Sequence, residues 1–544
     1  MSAPGGISGH QDLFVRERLP APELMPQFDF SAPHLQGWPD RMNAAAQLVD
    51  RACELGYAGQ PATIWDGVVW SFAHLRERSE KIASLLTQDW GLAPGNRVLL
   101  RGANSPMLLA CWLGVVRAGC IAVTTMPLLR AKELGFILER VNIRHALCES
   151  SLADEMIGAA GKAGEKVMVG LFHPVGQGNG EFERALNAKP AGFKPADTAA
   201  DDPAMIVFTS GTTGNPKAAV HYHRDIIAVA ECWPREFGIR PGDVHAGSPS
   251  MAFSYGFGAF IAFPLRHGCC SVMLPKAAPD AILKAIARHK VTSLFAVPTS
   301  YNAMIDEAGK HDLSSLRFCA SAGEHLRDHT FRNWQEATGH RLVNGIGSTE
   351  MLNHFIAQPL GVDRPGATGR LLPGYRARII DKDGNPMPEG EKGWLAVQGP
   401  VGCRYFDDPE RQKVYVKHGW NVTGDIFEQD AEGWFWYIDR GDDMIVSSGY
   451  NISGSEVEQI LIEHAKIKEC AVVGAPDDER GQVVKAFVVL KDGASPSDDL
   501  ARDIQEFVKN AVAPYKYPRL VRFLDELPKT ATGKIQRYLL KEME

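Results

Sequence analysis

The chain has 544 residues, of which 45% are apolar and 23% charged, and its net charge is −7; this leaves room for at least two globular domains and lacks the basic excess of a nucleic-acid binder. Its ten cysteines are scattered from Cys53 to Cys470 without a Cys-x-x-Cys pair, which points to reduced, mostly buried thiols in a cytoplasmic protein and away from a structural zinc site. The N-terminal stretch lacks the apolar core of a signal peptide, and the most apolar stretch, residues 107–126, is broken by Arg117 and Gly119, so a core helix followed by a buried strand is predicted there rather than a membrane span.

Residues 1–45 read as an extended lead-in. Apolar residues recur at helical spacing over residues 43–55 and 74–89, and residues 63–72 alternate as a hairpin with Asp66-Gly67 at its turn. Strands at 97–100 and 120–125 flank a helix opened by Asn104-Ser105-Pro106. Strands alternating with helices predict an α/β fold whose sheets are mixed, largely parallel and covered by helices. Residues 171–203, rich in Gly, Pro, Ala and Asp, read as a surface connection.

The apolar run 204–208 reads as a buried strand. It leads into Thr209-Ser210-Gly211-Thr212-Thr213-Gly214-Asn215-Pro216-Lys217. Glycines let backbone N–H groups converge on one point, hydroxyls add donors and the lysine adds a mobile charge, which together suit a polyphosphate. The spacing is not that of a Walker A loop, and the plain alternative is a polar turn between two strands. His221 and His223 share a face of a strand, but no third ligand stands nearby, so packing is the better reading. In Phe253-Ser254-Tyr255-Gly256 aromatics interleave with glycine, as in a wall for a flat ligand or in a core turn opening a helix. Ala320-Ser321-Ala322-Gly323-Glu324 ends a strand at 316–319. Asn344-Gly345-Ile346-Gly347-Ser348-Thr349-Glu350 follows another. Thr423-Gly424-Asp425 reads as a turn, and the dense strand 434–438 ends at Asp439-Arg440-Gly441-Asp442-Asp443. The last hundred residues read as a small α+β unit. Ser453-Gly454-Ser455-Glu456 is a capping box opening its first helix; strands at 470–473 and 483–490, a helix at 498–512 and a strand at 520–524 follow.

In this order the segments resemble the adenylate-forming superfamily of acyl-CoA synthetases, nonribosomal adenylation domains and luciferases. The likeness covers nearly the whole chain and ends at Pro528-Lys529-Thr530-Ala531-Thr532-Gly533-Lys534. It implies a large ATP- and acid-binding domain over residues 1–439, a small mobile domain over 440–544, and a hinge at Asp442. By the same resemblance Thr209, Ser210, Gly211, Thr212, Thr213, Gly214, Lys217, Ala322, Gly323, Glu324, Gly345, Ile346, Gly347, Asp425 and Arg440 hold ATP or AMP. Thr349 contacts phosphate, Glu350 helps hold Mg²⁺, and Lys534 stands in the place of the catalytic lysine. Phe253, Ser254, Tyr255, Gly256 and Gly347 would wall the acid site, and Ser448, Gly449 and Tyr450 would line a CoA tunnel.

Within the superfamily the stretches Met126-Pro127-Leu128-Leu129-Arg130, Gly345 to Leu352, Gly402-Cys403-Arg404-Tyr405 and Ser447 to Ile452 resemble benzoate- and 2-aminobenzoate-CoA ligases. Those ligases tend to continue past Leu352 with His and an aliphatic residue, where this chain has Asn353-His354. If that position faces the ring, a hydroxy- or amino-substituted benzoate is implied; if not, the pair supports the pocket from behind. The resemblance implies ATP, Mg²⁺ and CoA as cofactors and co-substrates and a small aromatic acid as partner, with no nucleic acid or membrane. Monomer and homodimer both stay open. So do a carrier-protein acceptor, a non-aromatic acid and a nucleotide binder without catalysis.

Overall fold

The computed structural model describes all residues except 1–6, 165, 210–215, 363, 442, 448–449, 478–479, 512–515, 531–532 and 544. Two compact units form, one of Met1–Ala377 with Val397–Asn421 and one of Arg378–Ala396 with Val422–Glu544. The boundary expected at residue 440 falls inside the second unit.

In the first unit a six-stranded sheet runs in the order Met168–Phe172, His145–Glu149, Arg97–Arg101, Ile121–Thr125, Pro203–Thr209 and Lys217–Tyr222. Every neighbouring pair is parallel except the last. Arg97–Arg101 and Ile121–Thr125 are buried along their whole length, as strands covered on both faces must be. The apolar stretch beyond residue 106 is the core helix Pro106–Arg117 followed by the strand Ile121–Thr125. Ser105 caps that helix, its hydroxyl accepting from the Leu108 N–H, and Pro106 stands in its first turn, where a missing N–H costs nothing. Arg117, buried at its end, bonds the Asp50 carboxylate and Ser79.

A second run of strands in this unit follows the order Val68–Ser71, Pro61–Trp65, Cys270–Met273, Val244–Gly247, Ser293–Ala296, Phe318–Ser321, Leu342–Gly347, His354–Ala357 and Ala367–Leu371. Its middle is parallel, and both ends turn antiparallel. The predicted hairpin is present: Asp66 and Gly67 both have positive φ, 45° and 80°, as a two-residue turn between twisted strands requires. The connection at 171–203 is not wholly irregular. It contains the helix Glu181–Asn187, whose Phe182 and Leu186 are buried, and the Glu183 carboxylate accepts from the His173 N–H at 2.6 Å. A helix this short carries too little periodicity to stand out among flanking Gly and Pro.

The second unit contains most of the strand Trp420–Gln429, paired antiparallel with Phe435–Arg440, and a five-stranded sheet. In that sheet Gly481–Leu490 pairs antiparallel with Ile467–Asp477 and parallel with Leu520–Phe523. Half of the predicted capping box is present: the Ser453 hydroxyl accepts from the Glu456 N–H at the start of helix Gly454–Leu461, while the Glu456 carboxylate pairs with Lys516. Helix Asp498–Ala511 turns Leu500, Ile504 and Val508 into the core, an i, i+4, i+8 stripe. The C-terminal helix Arg537–Glu542 is tied to Gly454–Leu461 by Arg537, which donates to both oxygens of Glu458 at 2.8 and 2.9 Å. Among the described residues no helix is long and apolar enough to cross a membrane.

Nine of the ten cysteines are buried and all are unpaired, as the scatter of the sequence predicted. His221 and His223 are core residues: the Nδ1 of His223 accepts from the Ala44 N–H at 3.0 Å, and His221 stands 3.9 Å from the Asp225 carboxylate. Burial lowers the imidazoles of His221, His223 and His245 from 6.5 to about 4, about 3 and about 4. The unfolded chain therefore takes up these protons first as pH falls. The stability that these groups contribute is whole above pH about 6.5 and drains away toward pH about 4, each at up to ~1.4 kcal/mol per pH unit. The thermal midpoint should be nearly level from pH 7.5 to 7 and fall steeply from 6.5 to 5; a midpoint level from pH 7.5 to 5 would contradict neutral burial.

Candidate functional site

The strand pair Pro203–Thr209 and Lys217–Tyr222 is in register at Thr209 and Lys217. The predicted phosphate loop thus connects two antiparallel neighbouring strands. Ser210, Gly211, Thr212, Thr213 and Gly214 lie outside the described residues. Lys217, at its exit, sets its ammonium 5.6 Å from the centre of the Tyr405 ring.

The second motif stands partly inside a strand rather than after one. Gly345, Ile346 and Gly347 are the last residues of Leu342–Gly347. The two glycines are required by a close approach: a Cβ on Gly347 would lie 2.5 Å from the Asn353 carbonyl oxygen, and one on Gly345 2.8 Å from Cδ2 of His354. The chain then turns through Ser348, half-buried Thr349 and Glu350, with the Ser348 hydroxyl accepting from the Met351 N–H at 3.2 Å. Ala322 is buried at the end of Phe318–Ser321. Gly323 follows with φ +88° and Glu324 is half-buried.

Glu350 is 9% exposed, and its Oε1 accepts a 2.5 Å hydrogen bond from the hydroxyl of Tyr405, itself 1% exposed. Burial above all, and then the Glu350 carboxylate, hold the Tyr405 phenol far above its usual range, so the tyrosine is the donor. Glu350 Oε2 has no hydrogen-bond partner among the described residues. Tyr415 makes a parallel contact, its hydroxyl 3.2 Å from Ser348 Oγ and its ring edge-on to Tyr405. Sequence reasoning noted Tyr405 only within the stretch Gly402-Cys403-Arg404-Tyr405, without a role, and did not single out Tyr415. Tyr405 lies 55 residues from its carboxylate, beyond the reach of any local pattern. Among the described residues no group of three or more His, Cys, Asp or Glu is placed to hold a metal. A lone carboxylate oxygen instead suits a hard cation that brings its other oxygen ligands on a phosphate chain.

Phe253, Ser254 and Tyr255 are half-buried at the start of a helical stretch, and Gly256 is buried, its missing Cβ leaving room for the Ser250 carbonyl. The Tyr255 hydroxyl donates to the Ala320 carbonyl at 2.8 Å, and its ring lies edge-on to His354 at 5.3 Å. Asn353 and His354 are 3% and 5% exposed. The Asn353 amide nitrogen donates to the Ser254 carbonyl at 2.9 Å, which fixes Oδ1 toward His354. There Oδ1 accepts from the backbone N–H at 2.8 Å and meets ring Nδ1 at 2.7 Å. Because Oδ1 can only accept, Nδ1 carries the proton. Burial lowers the His354 imidazole to about 4, so it is neutral and Nε2 is an acceptor. Asn353 is thus spent on its neighbours.

In the second unit Thr423, Gly424 and Asp425 do not form a turn. They lie within the strand Trp420–Gln429, opposite Phe435–Arg440, and Asp425 is in register with Arg440. Arg440 donates to Asp425 Oδ1 at 2.9 Å. Gly424 keeps φ +83° inside the strand, and a Cβ there would meet the Arg440 guanidinium at 3.1 Å. The glycine therefore serves a close approach rather than a chain reversal. Lys534 is exposed, and its carbonyl accepts from the Thr530 N–H at 2.7 Å. Asp442, Ser448 and Gly449 lie outside the described residues, and Tyr450 opens the strand Tyr450–Ile452.

Asn353→Leu keeps the volume but strands the Ser254 carbonyl and two N–H donors of His354. We expect a loss of about 1–3 kcal/mol, read as a lower urea midpoint; an unchanged midpoint would mean that the amide bonds are not made.

Residues 50–405 match the AMP-binding enzyme family, and residues 456–534 match the AMP-binding enzyme C-terminal domain. The chain is 35% identical over 509 residues to a benzoate–CoA ligase of Thauera aromatica, covering 92% of this chain and 96% of that one. It is 33% identical to a 4-hydroxybenzoate–CoA/benzoate–CoA ligase of Rhodopseudomonas palustris, covering 92% and 94%. The crystal structure of the anthranilate CoA ligase AuaEII in complex with anthranoyl-AMP superposes with a TM-score of 0.86 at 31% identity, covering 93% of this chain and 98% of that one.

Proposed function

This chain belongs to the AMP-binding, adenylate-forming enzyme family, and from that premise we propose that it is an ATP-dependent aryl-CoA ligase for a benzoate carrying an amino or hydroxy group. ATP, Mg²⁺ and CoA are its cofactor and co-substrates, and it works in the cytoplasm. The observation that carries the substrate reading is the Asn353–His354 pair. Asn353 fixes the tautomer of His354, and Nε2 is left as an acceptor without a partner among the described residues, on a ring that lies edge-on to Tyr255. A phenol O–H or an aniline N–H is the complementary donor.

The acid's carboxylate oxygen attacks the α-phosphorus of ATP; the bond to pyrophosphate breaks and an acyl-adenylate remains. Two anions must be brought together, so the site needs positive potential and fixed donors. Mg²⁺, held by Glu350, would supply charge neutralisation on the phosphates. The residues from Thr209 to Gly214 and Lys217 would cradle the phosphate chain with Thr349. Ala322, Gly323, Glu324, Gly345, Ile346 and Gly347 would border the adenylate, and Asp425 and Arg440 would take the ribose and α-phosphate. Lys534 would meet the developing charge during adenylation. In the second half-reaction the CoA thiolate attacks the acyl carbon and AMP leaves. A swing about Asp442 would withdraw Lys534 and bring Ser448, Gly449 and Tyr450 to the thiol.

Pyrophosphate release with MgATP across aromatic and aliphatic acids, with and without CoA, tests this reading. We expect CoA-stimulated turnover with one amino- or hydroxybenzoate at kcat/KM roughly tenfold above benzoate, one hydrogen bond of about 1.4 kcal/mol. Near-equal turnover of benzoate and its analogues would remove the donor reading. Turnover of aliphatic acids alone would remove the aromatic one, and adenylation without any response to CoA would point to a carrier-protein acceptor. Lys534→Ala should lower adenylate formation by about 100-fold or more, ~2.7 kcal/mol of lost transition-state stabilisation, while sparing ATP binding; unchanged adenylation would take the lysine out of the mechanism.

A further inference from the structure

Glu350 offers its carboxylate asymmetrically. Oε1 is occupied by the Tyr405 hydroxyl at 2.5 Å, while Oε2 has no partner among the described residues. Tyr405 has little freedom to let go. Its backbone N–H donates to the buried Gln412 side chain at 2.9 Å, and Gln412 is held in turn by the carbonyls of Leu24 and Cys403. On either side of it the Val220 N–H donates to the Arg404 carbonyl and the Phe406 N–H to the Ala218 carbonyl, both at 2.9 Å. With its backbone pinned on both sides and its ring 1% exposed, the side chain has little room to rotate away when a ligand arrives.

We propose that Tyr405 is a positioning residue that makes Glu350 a one-oxygen ligand and thereby sets the preference of the nucleotide site for Mg²⁺ over Ca²⁺. The inference rests on the reading of Glu350 as the cation-holding residue. Mg²⁺ is small, demands near-octahedral geometry and takes single oxygens, whereas Ca²⁺ accepts six to eight ligands and readily takes both oxygens of one carboxylate. A hydrogen bond that occupies Oε1 costs Mg²⁺ nothing and denies Ca²⁺ its second contact. It also fixes the direction of the remaining lone pairs, as an outer-shell donor does for a metal ligand. Removal of the hydroxyl frees Oε1 and lets the carboxylate turn. Mg²⁺ binding then weakens through lost orientation, while Ca²⁺ gains a ligand.

Calorimetric titration of ATP into the full-length protein at graded MgCl2 or CaCl2 gives the half-saturating concentration of each cation without any turnover. In Tyr405→Phe we expect the Mg²⁺ value to rise roughly tenfold with the Ca²⁺ value level or lower, so that the Mg²⁺/Ca²⁺ preference falls by about the same factor. Tyr415→Phe, which removes the hydroxyl contact to Ser348 and leaves the Tyr405 hydroxyl in place, should leave the preference in place. Should Tyr405→Phe fold poorly by thermal melting, Glu350→Asp leaves Tyr405 and its packing intact but withdraws the carboxylate from it, and must lower the same preference. A preference within twofold of the parent overturns the proposal, whether both cation values stay or both rise together as general damage would make them. ATP binding by the parent that needs no divalent cation would overturn both this inference and the role of Glu350. A cation-dependent parent with an unmoved preference would overturn this inference alone.

Discussion

The placing of Tyr405 against Glu350 in the first unit depends on one buried ion pair. The side chains of Arg404 and Asp225 are both 0% exposed, and Arg404 donates to Asp225 at 2.6 Å. The guanidinium lies 3.8 Å from the centre of the Tyr222 ring and 4.5 Å from that of Phe28. Two charges taken so far from water cost several kcal/mol each in lost hydration, so such a pair adds little net stability; breaking it, however, costs about 3–5 kcal/mol. What it does is place a segment. Ala219 bridges Tyr405, and the carbonyls of Arg404 and Ala218 take the N–H groups of Val220 and Phe406. Residues 404–406 thereby lie as an added strand along Lys217–Tyr222. Side chains alternate along an extended chain, so with Arg404 turned toward Asp225, Tyr405 is turned the other way, toward Glu350.

What was legible in the sequence was whatever is decided within a few residues. Asp66-Gly67 specifies its turn because two consecutive positive φ angles exclude most residue types. Ser105-Pro106 and Ser453 mark helix starts because only short polar side chains reach the free N–H groups there. The sheets and their helical cover followed from alternation of element types. What failed was the reading of glycine. In Thr423-Gly424-Asp425 the glycine was taken for a chain reversal, yet it sits in a strand and makes room for Arg440. Gly345 and Gly347 likewise lie in a strand and admit His354 and Asn353. A glycine states that a side chain is forbidden; whether geometry or a neighbour forbids it depends on the partner strand, which a linear pattern does not contain.

The histidines show the same limit from the other side. The i, i+2 spacing of His221 and His223 suits a metal, but His221 ends up beside Asp225 and Arg404 while His223 meets the N–H of Ala44. Their partners are 4 and 179 residues away, and their chemistry is that of neutral core groups. Enclosure decides that outcome, because an imidazole closed off from water is held neutral even beside a carboxylate.

Glu350 and His354 share one arrangement, and it explains why their neighbours matter as much as they do. Each has two heteroatoms and is ambiguous alone: a carboxylate can bind through one oxygen or both, and a neutral imidazole can carry its proton on either nitrogen. In each case a buried neighbour uses up one heteroatom. Tyr405 takes Oε1 of Glu350, and Asn353 takes the Nδ1 proton of His354. Each neighbour is itself held in place, Tyr405 through Gln412 and Asn353 through the Ser254 carbonyl. The remaining heteroatom is then defined in direction and in kind, a lone carboxylate oxygen in one case and an unprotonated ring nitrogen in the other. A polar residue at such a site is therefore only half the determinant of what binds. The other half is the residue that leaves it a single free valence, and that residue lies one position away in one case and 55 positions away in the other.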